Sequence, residues 1–234
     1  MTQAQTAVSE RQDTQQLILD AAEAVFANNG FDGATTRAIA DEAGVNSALI
    51  HYYFRSKERL FEAVFARRSG AINDRRRRLK DALFARGGTP ALEELLDAFL
   101  RPTIELGRDE EHGGHNYTRL LVHVATGTDE RSRRMTGQQY DAIAIEFVDA
   151  ILKIVPGLTR ELAVWGYLQG VSVGVILMAR TGRAADLSAG ECRDDDVEEV
   201  IARARTFIAA GIRALADPEK TTTRKPDQKE ETTI

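Results

Sequence analysis

Candidate chemistry in this sequence is concentrated in a short segment within its first quarter. Residues 46–52 read NSALIHY, with small and polar side chains at the start and two hydrogen-bonding rings at the end. On an exposed short helix, side chains of these types fit the major groove of DNA and hydrogen-bond to base edges. The segment therefore predicts recognition of nucleic acid rather than catalysis.

The other candidate reactive groups are three histidines and the single cysteine. His112, His115 and His123 have acidic residues nearby, but a Gly-Gly pair interrupts the helical register that a metal-binding pair of histidines needs. Cys192 lies in a charged segment with no histidine near it in the sequence. We also find no phosphate loop, no paired nucleophile and base, and no HExxH motif. We therefore expect no catalytic residue, no metal site and no cofactor.

Helix signals surround the candidate segment and would position it. An apolar pattern with a helical period starts at Asp13 and stops at Asn28-Asn29-Gly30, where Asn and Gly accept left-handed backbone geometry. Side chains able to cap the next three helices follow at Thr35 or Thr36, at Asn46 or Ser47, and at Ser56. These signals predict four successive helices, of which the second and third are short.

The second and third helices are predicted to form a helix-turn-helix. Ala40 and Ala43 are small enough for close approach, Gly44 supplies the turn, and Val45 fills the space between the helices. The second helix of this pair is expected to expose Ser47, Ala48, His51 and Tyr52. Its inward side is expected to hold Leu49 or Ile50, with Tyr53 and Phe54.

The remaining sequence predicts more helices and no strands. Helical patterns continue at about 91–107, 115–126, 132–154, 158–181 and 194–215, and residues 182–195 are predicted to form a loop. We therefore predict an all-α protein of about nine helices. Its expected parts are a flexible arm at 1–12, a helix-turn-helix domain at 13–60, a larger helical domain at 61–216 and a disordered tail at 217–234.

The distribution of charge allows a polyanionic partner. The 234 residues carry a net charge of −5, but residues 1–80 contain 12 Lys+Arg against 10 Asp+Glu, a net of +2. A local basic surface is sufficient for DNA binding, so the overall acidity does not exclude it. The basic run Arg75–Arg78 lies ~30 Å along the fourth helix from its start. This run is expected to be a solvated face.

Residues around the predicted turn form a motif with fixed spacing. It reads Thr35-x-x-x-Ile39-Ala40-x-x-Ala43-Gly44-Val45, followed by Tyr53-Phe54-x-Ser56-Lys57-x-x-Leu60. The motif resembles the DNA-binding domain of TetR-family transcriptional regulators over about residues 13–65. The resemblance implies an all-helical homodimer, in which an N-terminal three-helix domain binds DNA. The larger helical domain would then provide a ligand pocket and the dimer interface.

The resemblance also implies roles for individual residues. Thr35 matches a phosphate contact at the start of the second helix, and Lys57 matches a phosphate-binding lysine that opens the fourth. His51 is a departure, because members of the family often have Tyr at this position. The complete set of predicted DNA-binding residues is Thr35, Thr36, Arg37, Asn46, Ser47, Ala48, Leu49, His51, Tyr52 and Lys57.

A ligand pocket is expected among the fourth to eighth helices. Candidate lining residues are Phe99, Ile104, Tyr117, Leu121, Met135, Tyr140, Phe147, Trp165 and Met178, with Arg119 or His123 to orient a polar group. Mixed aromatic, aliphatic and methionine side chains favour an apolar or amphipathic ligand over a highly charged one.

Residues 162–179 contain no charge, at the lower limit of length for a membrane span. Gly166, Gly170 and Gly174 recur every fourth residue and clear one stripe of this helix for close packing. The resemblance implies that the last two helices form a four-helix interface with a second subunit. A packing seam within the chain and a membrane helix are the alternatives.

The sequence as a whole predicts a cytoplasmic, ligand-responsive transcriptional regulator and no membrane partner. The family resemblance implies a repressor that binds a palindromic double-stranded DNA operator as a homodimer. A small-molecule effector would release it. The alternative is an all-helical enzyme in which the helix-turn-helix is incidental.

Overall fold

Helices provide all the regular structure in the described part of the chain, which comprises residues 3–109, 111 and 113–217 of the computed structural model. The predicted all-α class is confirmed there. The ten helices are α1 (Gln3–Gly33), α2 (Thr36–Ala43), α3 (Ser47–Phe54), α4 (Lys57–Ala85), α5 (Leu92–Leu106), α6 (Gly114–Thr126), α7 (Glu130–Ile154), α8 (Arg160–Met178), α9 (Arg183–Leu187) and α10 (Val197–Leu215). Of the predicted disordered tail, residues 218–234 lie outside the described residues.

The first helix is longer than its apolar pattern predicts. It begins at Gln3 rather than Asp13, so residues 3–12 are helical where a flexible arm was expected. These residues include several good helix formers and neither Gly nor Pro, so their local propensity favours extension of the helix. The predicted stop is correct, because Gly30 leaves helical geometry at φ 67° and ψ 176°.

Capping hydrogen bonds decide where the next three helices begin. The Thr35 hydroxyl accepts from the backbone N–H of Ala38 at 3.0 Å, and the Asn46 side-chain oxygen accepts from that of Ala48 at 2.8 Å. The Ser56 hydroxyl accepts from the N–H of Arg59 at 3.2 Å. Each such cap is worth about 1 kcal/mol of helix stability. Between the two candidates that the sequence left at each of the first two sites, the caps are Thr35 and Asn46.

Aromatic packing joins α1 to the start of α4 and supports the two short helices. The ring of Phe61 lies edge-on to Phe26 at 4.9 Å and to Phe31 at 5.2 Å between centroids. Ile39 of α2 and Ile50 of α3 are buried in the same core. Because α2 and α3 bury one side each, their opposite sides are left to solvent.

The glycine stripe of α8 packs within the chain. A Cβ at Gly166 would lie 2.9 Å from a side-chain carbon of Ile212, and one at Gly170 would lie 3.4 Å from Ile208, both on α10. A Cβ at Gly174 would lie 3.3 Å from Leu100 of α5. The stripe is therefore a packing seam within the chain, which is one of the alternatives that the sequence left open. Small residues are needed there because α8 lies against α10 and α5 at close range.

The segment predicted as a loop between α8 and α10 contains one extra short helix. This is α9, and it raises the number of helices from the expected nine to ten in the described residues. It buries none of its residues, so an apolar pattern gave no signal for it. The division into domains at 13–60 and 61–216 stays a prediction.

A buried ionic cluster fixes α1 to α4. The carboxylate of Glu23, which is 2% exposed, accepts hydrogen bonds from Arg67 at 2.8 Å and from Arg68 at 2.9 and 3.0 Å. Arg67 also binds Asp20 at 2.6 Å, at a position where the Asp20 side chain is 54% exposed. Removing the shared carboxylate would leave two partly buried cations without their main counter-charge.

We predict that Glu23→Gln lowers the free energy of unfolding by about 2 kcal/mol, because breaking a buried ion pair from one side leaves its partner uncompensated. Asp20→Asn is the matched control, and its exposed pair should contribute less than about 1 kcal/mol. Urea unfolding at fixed protein concentration measures both. Equal effects of the two substitutions would contradict the assignment of Glu23 as the central contact.

Candidate DNA-binding surface and ligand cavity

The α3 helix presents a polar face to solvent. Ser47, Ala48, His51 and Tyr52 are exposed, as the sequence predicts. Ile50 is buried and Leu49 is half-buried, so both pack inward and hold the helix to the core. Four exposed side chains on two turns of helix form a surface of the size that enters a major groove. Their contacts with DNA stay predictions.

The turn between α2 and α3 depends on a left-handed glycine. Gly44 has φ 65° and ψ 29°, and its N–H donates to the carbonyl of Asp41 at 3.3 Å. The N–H of Val45 donates to the carbonyl of Ala40 at 3.0 Å, which closes the end of α2. The predicted DNA-binding residues Thr36 and Arg37 are exposed at the start of α2, the opposite end of the helix from this turn.

Lys57 has a structural role that sequence reasoning missed. Its ammonium donates to the carbonyls of Phe31 at 2.9 Å and Ala34 at 3.0 Å, and it lies 4.4 Å from the ring centroid of Phe31. It therefore ties the first residue of α4 to the end of α1 and to the residue that follows it. An ammonium has three donor hydrogens, so two are committed here and one is left for the predicted phosphate contact.

A cavity of about 240 Å³ lies among α4, α5, α6, α7 and α8. Its walls are mainly aliphatic and aromatic, and the charged residues among them are Arg76 and Asp141. The complete lining is Arg76, Phe99, Leu100, Thr103, Ile104, Leu121, Ala125, Thr136, Tyr140, Asp141, Ala144, Tyr167, Leu168, Val171, Gly174, Val175 and Met178. A mainly apolar cavity with a few polar groups is typical of a small-molecule site.

The structure brings some of the predicted pocket residues together and separates others. Of the predicted pocket residues, those that line the cavity are Phe99, Ile104, Leu121, Tyr140 and Met178.

The other predicted residues lie elsewhere. Tyr117 is buried behind the cavity wall, where its hydroxyl lies 2.9 Å from that of Tyr140. Trp165, 55% exposed, and His123 lie on the surface, because their helices turn these positions away from the core. Arg119 donates to the side-chain oxygen of Asn28 at 2.8 Å instead of facing the cavity. Met135 and Phe147 are buried outside the lining.

Arg76 is one of the cavity residues that sequence reasoning missed, and it is the one whose charge faces the opposite way from the prediction. It was expected on a solvated face with its three basic neighbours, yet it is 7% exposed and lines the cavity. The signal was present in the periodicity, because Arg76 follows the buried Ile72 by four residues and so shares its side of α4. The run of four arginines was interpreted as one solvated face, although the helical period places Arg76 on the buried side.

Burial changes the ionisation of the groups around the cavity. It raises the pKa of Tyr117 well above its usual range and raises the pKa of Tyr140 and of Tyr167. Burial also lowers the pKa of Arg76. The tyrosines are therefore neutral near pH 7 and offer hydroxyl groups rather than charge, which leaves the Arg76 guanidinium as the positive group of the lining.

The histidines do not assemble a metal site in the described part of the chain. His115 and His123 are both exposed, and His112 lies outside the described residues. Within residues 3–109, 111 and 113–217, no three His, Cys, Asp or Glu side chains are grouped closely enough to hold an ion.

Two family models match the chain. Residues 18–64 match the model of bacterial regulatory proteins of the tetR family, and residues 97–211 match that of the tetracyclin repressor-like C-terminal domain. The HTH-type transcriptional regulator UidR of Escherichia coli strain K12 is 36% identical over 56 residues. That match covers 24% of this chain and 29% of UidR, so it is confined to less than a third of the relative's length.

Solved structures share the fold over most of the chain. The fatty acid degradation regulator FadR from Bacillus halodurans has a TM-score of 0.64 at 16% identity, covering 86% of this chain and 96% of that one. FadR from Bacillus subtilis in complex with stearoyl-CoA has a TM-score of 0.63 at 19% identity, covering 84% and 98%. Because models of this one family match residues 18–64 and residues 97–211, the chain belongs to the TetR family of transcriptional regulators.

Proposed function

We propose that this chain is a repressor that binds a near-palindromic operator as a homodimer and is released by a small amphipathic ligand. One observation supports the proposal that a ligand changes DNA binding. The same continuous helix, α4, begins at Lys57 in contact with the DNA-binding domain and lines the cavity at Arg76. A ligand that moves α4 would therefore change the placement of α3.

DNA recognition is assigned to the exposed side of the helix-turn-helix. Ser47, Ala48, His51 and Tyr52 would reach base edges, while Leu49 packs on the core and holds α3 in place. The residues assigned to the phosphate backbone lie at the helix starts and are Thr35, Thr36, Arg37, Asn46 and Lys57. A dimer places its two recognition helices ~34–36 Å apart, one turn of DNA, which matches the symmetry of a palindromic operator.

The homodimer is assigned to the exposed sides of α8 and α10. Large apolar side chains remain in solvent on these helices, namely Val164, Trp165, Leu168 and Ile176 on α8 and Phe207 on α10. Several large apolar side chains exposed on two helices that pack together favour an interaction site there. The supporting observation is that the opposite side of α8 is already occupied by α10 and α5 through its glycines.

Helix α8 also has the length and composition of a membrane span, and it is the one such helix among the residues described. A dimer interface accounts for its exposed apolar side without a membrane, since the buried core of an interface is as apolar as a protein interior. We assign the chain to the cytoplasm on this basis. The matched regulators likewise favour a transcription factor over an enzyme with an incidental helix-turn-helix.

The ligand is assigned to the cavity among α4 to α8. Its aromatic and aliphatic walls suit an apolar body, and the similarly folded FadR of Bacillus subtilis was solved with stearoyl-CoA. Ligand and DNA would oppose each other reciprocally, so the factor by which ligand weakens DNA binding is also the factor by which DNA weakens ligand binding.

The experiment that tests this function is selection of bound fragments from a random DNA pool by the purified chain. We expect a near-palindromic motif with half-sites about one helical turn apart. Failure of the folded dimer to enrich any motif would contradict operator recognition. The selected sequence then serves as the probe for the variants below.

We predict that Tyr52→Ala weakens binding to the selected operator about tenfold or more, because a lost base contact costs about 1–3 kcal/mol. Binding to a scrambled duplex of equal length should change little, since phosphate contacts supply nonspecific affinity. Fluorescence anisotropy with both duplexes measures the ratio. An unchanged ratio would remove Tyr52 from the recognition surface.

We predict that Lys57→Ala weakens binding to operator and scrambled duplex alike. The slope of log affinity against log salt concentration should become shallower by about 1, as expected for one lost phosphate contact. Since Lys57 also binds two carbonyls, thermal unfolding of the variant is the control for a merely structural effect. A stable variant with an unchanged salt slope would contradict the phosphate role.

We predict that Phe207→Glu converts the dimer to a monomer, because the side chain is 71% exposed in the single chain and would place a charge inside an apolar interface. Leu187→Glu is the matched control, as Leu187 is 74% exposed on α9, outside the proposed interface. Sedimentation velocity without detergent measures both. A dimeric Phe207→Glu variant would place the interface elsewhere.

A further inference from the structure

We propose that the cavity binds its ligand through a carboxylate that pairs with the guanidinium of Arg76, so that the effector is an amphipathic monocarboxylate. The inference rests on the proposed function in one respect, namely that the cavity binds the effector. It replaces Arg119 and His123, the polar anchors expected from the sequence, with a residue that lines the cavity.

Arg76 differs from its neighbours in its lack of a carboxylate partner. Arg75 forms an ion pair with Glu105, and Arg77 forms one with Glu146 at 3.0 Å. Arg76, which lies between these two residues in the sequence, is buried. No Asp or Glu among the described residues lies within 4.0 Å of its guanidinium nitrogens. The chain therefore holds a buried cation without a counter-charge in contact with it.

The hydrogen bonds of Arg76 are all to neutral acceptors. Its Nε donates to the carbonyl of Phe99 at 2.9 Å, and one terminal nitrogen donates to the hydroxyl of Thr103 at 2.8 Å. The other terminal nitrogen makes a long bond of 3.4 Å to the side-chain oxygen of Asn73. Three of the five N–H donors are used in this way. The remaining two match the two-oxygen geometry of a carboxylate.

Burial makes this arrangement costly in the absence of ligand. An ionised group taken out of water without a charged partner loses several kcal/mol of solvation, and an arginine does not escape by losing its proton. The ring of Phe99, whose centroid lies 4.4 Å from the guanidinium carbon, returns part of that loss. A ligand carboxylate would supply the missing counter-charge in a place of low dielectric, where the attraction is strong.

The remaining lining restricts the ligand to one negative charge and an apolar body. Among the described residues, Arg76 is the single cation of the lining, and the other charged residue there, Asp141, is an exposed acid that would repel further anionic groups. The other polar groups are neutral hydroxyls, including those of Tyr140 and Tyr167. A polyphosphate would lack cations to pair with, whereas a hydrocarbon chain meets the aliphatic residues of α8.

Arg76, the proposed partner of the ligand carboxylate, lies on α4, the helix that begins at Lys57 next to the DNA-binding helices. Three residues before Arg76, Asn73 donates to the backbone carbonyl of Gln139 at 2.7 Å, and Ser69 donates to the Gln139 side chain at 2.9 Å. These bonds join α4 to α7 beside the cavity. A carboxylate bound to the two remaining donors of Arg76 would attract the guanidinium and so act on the helix that begins at Lys57.

The experiment compares binding of decanoate and decan-1-ol to the full chain by isothermal titration calorimetry. The two probes share an apolar chain and differ in the charged head group. For the wild type, we expect decanoate to bind about tenfold or more tightly than decanol, as for a hydrogen bond between charged groups. Arg76→Met should abolish this preference and leave decanol affinity within about twofold. Arg78→Met, which removes an exposed arginine from the same helix, should preserve it.

The wild-type comparison stands without any variant, and the apolar replacement of a buried unpaired charge is not expected to unfold the chain. Equal wild-type affinities for the two probes, no binding of either, or a preference retained in Arg76→Met would overturn the inference. Release of the selected operator is measured separately. Decanoate that binds through Arg76 without weakening operator binding would contradict the proposed ligand response and leave the carboxylate site standing.

Discussion

The structure depends on the attachment of α4 to α1 at two levels. At its first residue, the Lys57 ammonium holds the carbonyls of Phe31 and Ala34. Two to three turns later, Arg67 and Arg68 share the buried carboxylate of Glu23. These contacts use charge in a partly buried setting, where a broken pair is expensive. If α4 shifts, we therefore expect α1 and the helices packed on it to move with α4, because sliding of α4 along α1 would break these contacts.

Further along the same helix, Arg76 is a buried positive charge with no carboxylate in contact with it. Arg76 is buried against neutral acceptors and an aromatic ring, while the tyrosines around it are kept neutral by burial, which raises the pKa of Tyr117, Tyr140 and Tyr167. A structural arginine is ordinarily paired with a carboxylate when buried. Arg76 has hydrogen-bond partners but no counter-charge, and for this reason we propose it as the group to which an effector binds.

Three sides of the α8 helix have different surroundings, namely α10, α5 beside the cavity, and solvent. Gly166 and Gly170 bring it close to α10, Gly174 brings it close to α5 beside the cavity, and its large apolar side chains, such as Trp165 and Ile176, remain in solvent. No single helical stripe can serve all three, so the helix is apolar around most of its circumference. That requirement explains why its composition is that of a membrane span.

Sequence periodicity, capping residues and turn glycines determined the all-α class, most helix ends and the helix-turn-helix, because these are local properties of the chain. The motif around Gly44 also determined the family. Only the tertiary structure decided which positions meet across helices: that Arg76 faces inward from a basic run, that Trp165 and His123 face outward, and that Lys57 binds carbonyls 23 and 26 residues away. Periodicity identifies a helix face, but the partner of that face depends on how distant helices cross.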